Sequence, residues 1–194
     1  MVYARQQAIE MLLCVNKADM DPDLARNVQA EYAGAQVDVL ASCALSGEGF
    51  SDLRERMQAK RCCFAGQSGV GKSTLLGKLL DMDLKVGDVS HRTERGKHTT
   101  RHAELLEGNG LQVFDTPGFS LLGIPAMPPE ALQEFYPEME ALGGQCRFQP
   151  CLHDREPDCA VRAAVREGTL SRARWERYRS LLVEVKESWR NRYD

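Results

Sequence analysis

The sequence predicts an α/β fold with a parallel-rich sheet, followed by a small helical domain. Short apolar runs alternate with segments of helical periodicity, and polar or Gly-rich motifs directly follow those runs. In sheets of this kind, ligand-binding loops lie at the carboxyl ends of the strands. The helical domain is indicated by a cluster of three cysteines and one histidine near the C-terminus, beyond a Pro-rich segment.

The predicted elements follow one another in a simple order. Residues 1–9 have the pattern of the end of a helix, and Gly108-Asn109-Gly110 is a strong hairpin signal. The Pro-rich segment 124–129 indicates a boundary between a first domain, residues 1–123, and a second, residues 124–194. The predicted strands are 11–15, 37–41, 61–65, 103–106 and 111–114, and the predicted helices are 24–32, 50–57, 73–80, 129–140, 159–167 and 171–190.

The segment after the third apolar run matches the pattern G-x-x-x-x-G-K-[ST]. Its glycines permit backbone conformations that direct amide N–H groups at phosphate oxygens. Lys72 adds a positive charge for the β- and γ-phosphates, and the Ser73 hydroxyl can bind Mg²⁺. A preceding strand and a following helix favour a phosphate-binding loop over a Gly-rich turn. The residues assigned to it are Gly66, Gln67, Ser68, Gly69, Val70, Gly71, Lys72, Ser73 and Thr74.

A second motif, Asn16-Lys17-Ala18-Asp19, has the form N-K-x-D and directly follows a predicted strand. Asp19 can accept hydrogen bonds from the ring N–H and the exocyclic amine of guanine, a pattern that adenine does not offer. Asn16 and the stem of Lys17 would brace the loop and cover the base. The motif therefore predicts a guanine nucleotide, GTP or GDP, as the ligand.

The order of these motifs along the chain is unusual, because the base-reading motif ordinarily trails the phosphate loop and here precedes it. A third motif, Asp115-Thr116-Pro117-Gly118, follows last. Asp115 can hold Mg²⁺ through water, and Gly118 can donate its N–H to the γ-phosphate. We interpret the order as that of a circularly permuted P-loop GTPase domain, in which the same site is formed by motifs that follow one another in a different order along the chain.

A polar, cation-rich loop lies between Gly87 and His102. The loop lacks apolar periodicity, as expected of a switch that orders around a γ-phosphate and a metal ion; a surface linker is the alternative. Thr99 and Thr100 favour the switch, because a switch needs a hydroxyl group for Mg²⁺. We therefore place both, with Lys72, among the catalytic and Mg²⁺-binding candidates.

The residue after Gly118 is Phe119, where common GTPases carry a Gln that orients the attacking water. We therefore expect slow intrinsic hydrolysis, unless another residue positions the water. His98, in the switch loop, is the local candidate for that role; contact with a partner is the alternative.

Cys146, Cys151, His153 and Cys159 form the pattern C-x₄-C-x-H-x₅-C. Three thiolates and one imidazole match tetrahedral structural zinc, with no open position for catalysis. A disulfide pair with a spare thiol is the alternative, and it fits a reduced compartment poorly. So short a segment has little core of its own, and we expect the metal to fold it.

The composition is that of a globular protein with uneven charge. It is 43% apolar, and it contains neither a membrane-length apolar stretch nor a secretion signal. The grouping of the cysteines favours a reduced, cytoplasmic location. Residues 1–159 carry 16 Lys and Arg against 23 Asp and Glu, whereas residues 160–194 carry 9 against 5. This basic tail allows a nucleic-acid contact; a solvated helix face is the alternative.

The permuted motif order followed by the cysteine–histidine cluster resembles the RsgA/YjeQ family of circularly permuted GTPases. The similarity runs over about residues 9–187 and is closest in residues 96–100, 115–119 and 146–153. The resemblance implies a GTP hydrolase that the small ribosomal subunit stimulates. It would bind that subunit and assist its late maturation, with nucleotide state gating ribosome affinity. A zinc-binding helical domain would contact ribosomal RNA. We expect a monomer with no membrane partner.

The sequence departs from the family's pattern at the second guanine-contacting motif, which usually reads Ser-Ala or Ser-Ser. Cys43-Ala44 occupies that place, with Ser42 just before it. The backbone N–H of Ala44 can still reach the guanine oxygen, so we expect nucleotide binding to persist with some loosening.

The resemblance also implies an OB-fold RNA-binding domain and a central strand of the GTPase sheet ahead of Met1. Neither is visible in the sequence. We therefore expect either a truncated chain or a structure in which that part is not seen, with no complete central strand among these residues.

Two other classes of function are alternatives to a GTP hydrolase. A nucleotide-dependent rRNA-binding adaptor with negligible intrinsic hydrolysis is compatible with Phe119. A P-loop ATPase or kinase is opposed by Asp19, because that carboxylate is suited to guanine.

Overall fold

The computed structural model describes residues 1–83, 104–115 and 124–193. The chain divides into two compact units. The first comprises Met1–Leu13, Arg26–Val39 and the described residues of 123–194, and the second comprises Cys14–Ala25 and the described residues of 40–122. Two early segments therefore share a unit with the cysteine–histidine cluster. The domain boundary between residues 123 and 124 stays a prediction.

Strands and helices alternate through the first part of the chain, as the sequence predicts. The strands are β1 (Leu12–Asn16), β2 (Asp38–Ser42), β3 (Arg61–Cys63), β4 (Glu104–Gly108) and β5 (Leu111–Asp115). The α-helices are α1 (Val2–Gln6), α2 (Leu24–Tyr32), α3 (Phe50–Met57), α4 (Lys72–Leu80), α5 (Pro137–Gly143), α6 (Ala160–Glu167) and α7 (Arg172–Arg190). Among the described residues, two short 3₁₀ helices cover Pro129–Phe135 and Asn191–Tyr193.

The strands in the described ranges form two sheets. β1 pairs with β2, and β5 lies between β3 and β4. Within the described ranges, no strand joins the two sheets. β3 runs parallel to β5, whereas β4 and β5 form the predicted antiparallel hairpin. Because β3 and β5 are parallel, their carboxyl ends meet at one edge of the sheet, so the phosphate loop begins beside the end of β5.

The segment 129–140, which the sequence predicts to be helical, consists of two helices separated by one residue. A 3₁₀ helix ends at Phe135, and α5 begins at Pro137. Tyr136 between them has φ −128° and ψ 79°, outside the helical region. Proline has no N–H to donate and disfavours the helical conformation of the residue before it, so Pro137 can start a helix but not continue one.

The first unit has a continuous apolar core around α7. Tyr178 and Leu182 of α7 are buried with Leu132, Met139 and Val161 from the segments that precede it. Val2 belongs to the same cluster, although it lies at the other end of the sequence. The apolar core that includes Cys146, Cys151 and Cys159 therefore also contains a residue from the N-terminal end of the chain.

One cation of the basic tail is buried instead of solvated. The Arg174 side chain is 4% exposed, and its Nε donates to Glu138 Oε1 at 2.8 Å. Its guanidinium carbon lies 4.7 Å from the ring centre of Tyr32 and 4.4 Å from that of Tyr136. Arg177, on the next turn, makes an ion pair with Glu31. These contacts fasten the end of α2 to α5 and α7.

We expect Arg174→Ala to lower the free energy of unfolding by about 3 kcal/mol or more, because the Glu138 carboxylate would stay buried without its partner. Chemical denaturation of the zinc-loaded chain, followed by circular dichroism, measures the change. Arg155→Ala is the matched control, since that side chain is 88% exposed, and it should alter stability by less than about 0.5 kcal/mol. Equal losses in the two variants would contradict the expectation.

Candidate nucleotide-binding and metal sites

The two predicted nucleotide motifs lie against each other. Asn16 Nδ2 donates to the carbonyl oxygen of Val70 at 2.9 Å, and Lys17 Nζ donates to that of Gly69 at 2.9 Å. Asn16 and Val70 are 54 residues apart in the sequence. The base-reading motif is thus braced directly on the phosphate loop, so one ligand can contact both.

This close approach depends on a glycine. Gly71 has φ +93°, a conformation that side chains other than hydrogen disfavour. A Cβ atom at this position would also collide with Asn16 Nδ2 and would lie 3.8 Å from Lys17 Cε. Any larger residue would therefore strain the loop and displace the Asn16 amide from its present position.

The carbonyl groups of the phosphate loop accept hydrogen bonds from side chains. Lys72 Nζ donates to the carbonyl oxygens of Gly66 at 2.6 Å and Gln67 at 2.7 Å. Within the described residues, no backbone hydrogen bond uses the N–H groups of residues 67–74. Ser73 and Thr74 lie in the first turn of α4, where the positive end of the helix dipole favours an anion. These features favour the binding of an anion.

The base-reading loop is anchored on the end of β2. Ala18 donates its N–H to the carbonyl oxygen of Ser42 at 3.0 Å, and the side chain of Asp19 is exposed. The N–H of Cys43 is bound to the carbonyl oxygen of Glu48 at 3.0 Å, and Cys43 is buried. The N–H of Ala44 has no partner in the described part of the chain. An acceptor on a base could therefore bind Ala44.

Part of the predicted site lies outside the described residues. His98, Thr99, Thr100, Gly118 and Phe119 belong to this group. Asp115 ends β5, and only its backbone is described. The assignments of these residues therefore stay predictions.

The four predicted metal ligands converge. Cys146, Cys151, His153 and Cys159 are all buried, and their ligand atoms lie within 4.8 Å of one another. The Sγ atoms of Cys146 and Cys159 are 3.9 Å apart, and His153 Nδ1 lies 3.6 Å and 3.4 Å from them. Ligand atoms bound tetrahedrally to zinc are about 3.5–3.8 Å apart, given bonds of about 2.3 Å to sulfur and 2.0 Å to nitrogen. The arrangement fits such a site.

A further residue orients the histidine, and sequence reasoning missed it. Gln133 Oε1 lies 2.8 Å from His153 Nε2, so an N–H on Nε2 leaves Nδ1 free to ligate. A Cβ on Gly143 would lie 2.9 Å from Gln133 Oε1, so glycine leaves room for this contact. Trp175 Nε1 donates to the His153 carbonyl oxygen at 2.8 Å and fixes the backbone. Only the spatial arrangement singles out Gln133.

The protonation of the cluster follows from its burial. Burial raises the pKa of Cys151 to about 12 and also raises the pKa of Cys159, whereas it lowers the pKa of His153. The imidazole is therefore neutral, as a ligand must be, while the thiols of Cys151 and Cys159 hold their protons until a metal displaces them. Metal binding releases these protons and is consequently favoured as the pH rises.

A carboxylate shapes the loop between the ligands. Glu156 accepts hydrogen bonds from the N–H groups of Leu152, Asp154 and Arg155, at 2.9–3.1 Å. Burial alone would raise the pKa of Glu156, but these donors hold it below its usual value. The loop that carries His153 is thus organised by its own backbone contacts.

The paired motifs and the α/β fold define a nucleotide-binding protein of the P-loop class, in which the base-reading motif precedes the phosphate loop. The chain belongs to the RsgA GTPase family, whose model matches residues 1–125. Among the described residues, no helix has the length and apolar character to cross a membrane.

Relatives and solved structures agree with this assignment. The chain is 41% identical over 189 residues to the small ribosomal subunit biogenesis GTPase RsgA of Ruminiclostridium cellulolyticum, covering 96% of this chain and 62% of that protein. It is 36% identical over 193 residues to the protein of that name from Bacillus subtilis, covering 96% and 65%. YjeQ from Thermotoga maritima superposes with a TM-score of 0.72 at 32% identity, over 95% of this chain and 63% of that one.

A second solved structure bears on the motif order. YloQ, described as a circularly permuted GTPase, matches with a TM-score of 0.71 at 31% identity, over 96% of this chain and 60% of that one. The predicted fold class, a circularly permuted GTPase domain, is therefore confirmed. The chain spans about two thirds of the length of the curated relatives, 62% of the first.

We expect Gln133→Ala to weaken zinc binding by about tenfold or more, because His153 would lose the contact that fixes its ring. Competition with a chromogenic chelator measures the affinity. Glu134→Ala, an exposed neighbour in the same 3₁₀ helix, is the control and should bind zinc like the parent chain. If both variants bind zinc equally well, the proposed role of Gln133 fails.

Proposed function

We propose that this chain is the nucleotide- and zinc-binding part of a GTP hydrolase that binds the small ribosomal subunit and assists its late maturation. The observation that carries the proposal is the pair of hydrogen bonds from Asn16 and Lys17 to the phosphate loop. The curated relatives are named small ribosomal subunit biogenesis GTPases, which supports the same function here.

In this proposal the guanine nucleotide lies along the edge formed by the two motifs. Asp19 accepts hydrogen bonds from the base, the N–H of Ala44 donates to the guanine oxygen, and Asn16 with Lys17 holds the loop in place. The phosphates lie over the N–H groups of residues 66–74. Lys72, which now donates to two loop carbonyls, is placed to turn toward the β- and γ-phosphates.

Hydrolysis depends on how these residues hold the transferred phosphate. Mg²⁺ supplies charge neutralisation of the β- and γ-phosphate oxygens when bound. Ser73 is proposed as a direct ligand, Thr99 or Thr100 as the switch ligand, and Asp115 as a ligand through water. Gly118 would donate to the γ-phosphate. His98 is the candidate that orients water, because Phe119 stands where other GTPases carry Gln.

The metal of the second site is proposed to be one structural Zn²⁺. Three thiolates and one imidazole are soft ligands suited to zinc, and all four positions are filled by the protein. The ion would hold the loop of residues 146–159 against α7. Its contribution would be to folding and not to catalysis.

The partner is proposed to be the small ribosomal subunit and its rRNA, with nucleotide state gating the affinity. The basic residues of α7, apart from the buried Arg174, could contribute to an RNA contact. We further propose that the protein acts as a monomer in the cytoplasm, without a membrane partner.

Phosphate release from GTP tests the function. We expect slow release by the chain alone and an increase of about tenfold or more with purified small subunits, because subunit contact would order the catalytic groups. Free large subunits are the control and should not stimulate. Nucleotide-dependent subunit binding without any stimulated release would instead favour the rRNA-binding adaptor, the alternative with which Phe119 is compatible.

Base recognition is tested separately by Asp19→Asn. We expect the affinity for GDP to fall by about 100-fold or more, since two hydrogen bonds to a carboxylate are lost. The affinity for xanthosine diphosphate (XDP) should rise. Equilibrium titration with fluorescent nucleotides measures both. Asp23→Asn, which changes an exposed carboxylate in the same loop, should leave the GDP preference unchanged. An Asp19→Asn variant that keeps its GDP preference would argue against guanine recognition.

A further inference from the structure

Two aromatic side chains of α7 bind consecutive carbonyl groups of the metal-binding loop. Trp175 Nε1 donates to the His153 carbonyl oxygen at 2.8 Å, and the Tyr178 hydroxyl donates to that of Leu152 at 3.1 Å. Trp175 and Tyr178 are three residues apart in α7, so their side chains lie on one face of the helix. Neither contact involves a ligand atom of the metal site. The two residues therefore hold the loop through its backbone alone.

The two carbonyl groups belong to the peptide groups on either side of the His153 Cα atom. A peptide group is planar, so the orientations of the planes before and after a residue set its φ and ψ angles. Tyr178 holds the plane before His153, and Trp175 holds the plane after it. The N–H of that second plane, which belongs to Asp154, also donates to Glu156 Oε2 at 2.9 Å. Together these contacts determine the backbone conformation of His153.

His153 needs this support because its backbone lies in the left-handed region, with φ +56°. Residues that carry a Cβ atom disfavour this region, since Cβ comes too close to the following carbonyl oxygen. A change to the right-handed region would redirect the Cα–Cβ bond and carry the ring away from the thiols. Nδ1 now lies 3.6 Å from the Sγ of Cys146 and 3.4 Å from that of Cys159. The left-handed conformation is therefore part of the ligand geometry.

An ion pair ties the loop to α7 beside the indole ring. Arg179 Nε donates to Asp154 Oδ1 at 2.7 Å, and Asp154 directly follows His153 in the sequence. The guanidinium carbon of Arg179 lies 4.9 Å from the centre of the Trp175 ring. The ion pair thus keeps the carbonyl group of His153 next to its indole donor.

We propose that Trp175 and Tyr178 are positioning residues that hold His153 in the left-handed conformation in which Nδ1 faces the thiols, and that they thereby slow the loss of zinc. This rests on the proposed zinc site. Neither residue ligates the metal, so both act through the backbone of a residue that does.

Zinc release from the loaded 194-residue chain into a chromogenic chelator tests the proposal. We expect Trp175→Phe and Tyr178→Phe each to raise the dissociation rate about three- to tenfold, the effect of one lost hydrogen bond. Trp189→Phe is the matched control, because it makes the same change near the other end of α7, where the ring lies against Arg192. It should release zinc at the parent rate. Release at the parent rate from either Trp175→Phe or Tyr178→Phe would overturn the proposal.

An isosteric analogue separates the lost N–H from the lost ring volume. The chain contains two tryptophans, so Trp189→Phe leaves Trp175 alone. Biosynthetic incorporation of benzothienylalanine in that background replaces the indole N–H by sulfur and keeps the size of the ring system. We expect faster zinc release to persist and the ligand-field bands of the Co²⁺-loaded chain to shift, because the His153 nitrogen moves relative to the thiolates. An unchanged rate or unchanged bands would show that the N–H does not position His153.

The same measurements distinguish this proposal from the zinc site on which it rests. If the parent chain retains zinc and the Trp175 and Tyr178 variants retain it equally well, only the positioning role fails. If the reduced parent chain takes up no zinc, the proposed zinc site fails, and the positioning role fails with it. Neither result bears on guanine recognition, which Asp19→Asn tests.

Discussion

The contact between the end of β1 and the phosphate loop is the constraint on which the nucleotide site depends. Asn16 and Lys17 donate to the carbonyl oxygens of consecutive loop residues, Val70 and Gly69. These bonds hold the N-K-x-D motif against the phosphate loop. Because the contact is made in space between strand ends, the order of the motifs along the chain does not matter.

The same contact explains the polarity of the loop. Its carbonyl oxygens are occupied by cationic or amide donors, Lys17 on Gly69 and Lys72 on Gly66 and Gln67. Its N–H groups keep no backbone partner within the described residues. A backbone whose acceptors are satisfied and whose donors are open is an anion site before any ligand arrives. The conformations of Gly69 and Gly71 make this separation of donors and acceptors possible.

The sequence alone was sufficient to predict sites whose residues have fixed spacings along the chain. It was not sufficient to predict contacts that depend on packing. The phosphate loop, the N-K-x-D motif and the cysteine–histidine cluster have fixed spacings, and the structure brings each together. The interruption between the 3₁₀ helix and α5 also had a local signal in the sequence, Pro137 itself, which the prediction of a helical segment did not take into account. Arg174 had none, because a charged residue in a basic helix looks solvated until two tyrosine rings and a carboxylate surround it. Gln133 likewise has no local signal, because its contact with His153 joins residues that are distant in sequence.

The metal-binding segment is not an appendage with a core of its own. Val2 joins its apolar cluster, and Arg174 packs on Tyr32 at the end of α2. A Cβ on Gly34 would lie only 2.9 Å from Glu138 Cβ, so the turn after α2 also lies close against α5. In the sequence, α2 follows the N-K-x-D motif after a short loop. The helix whose end contacts Arg174 is therefore close in sequence to Asp19.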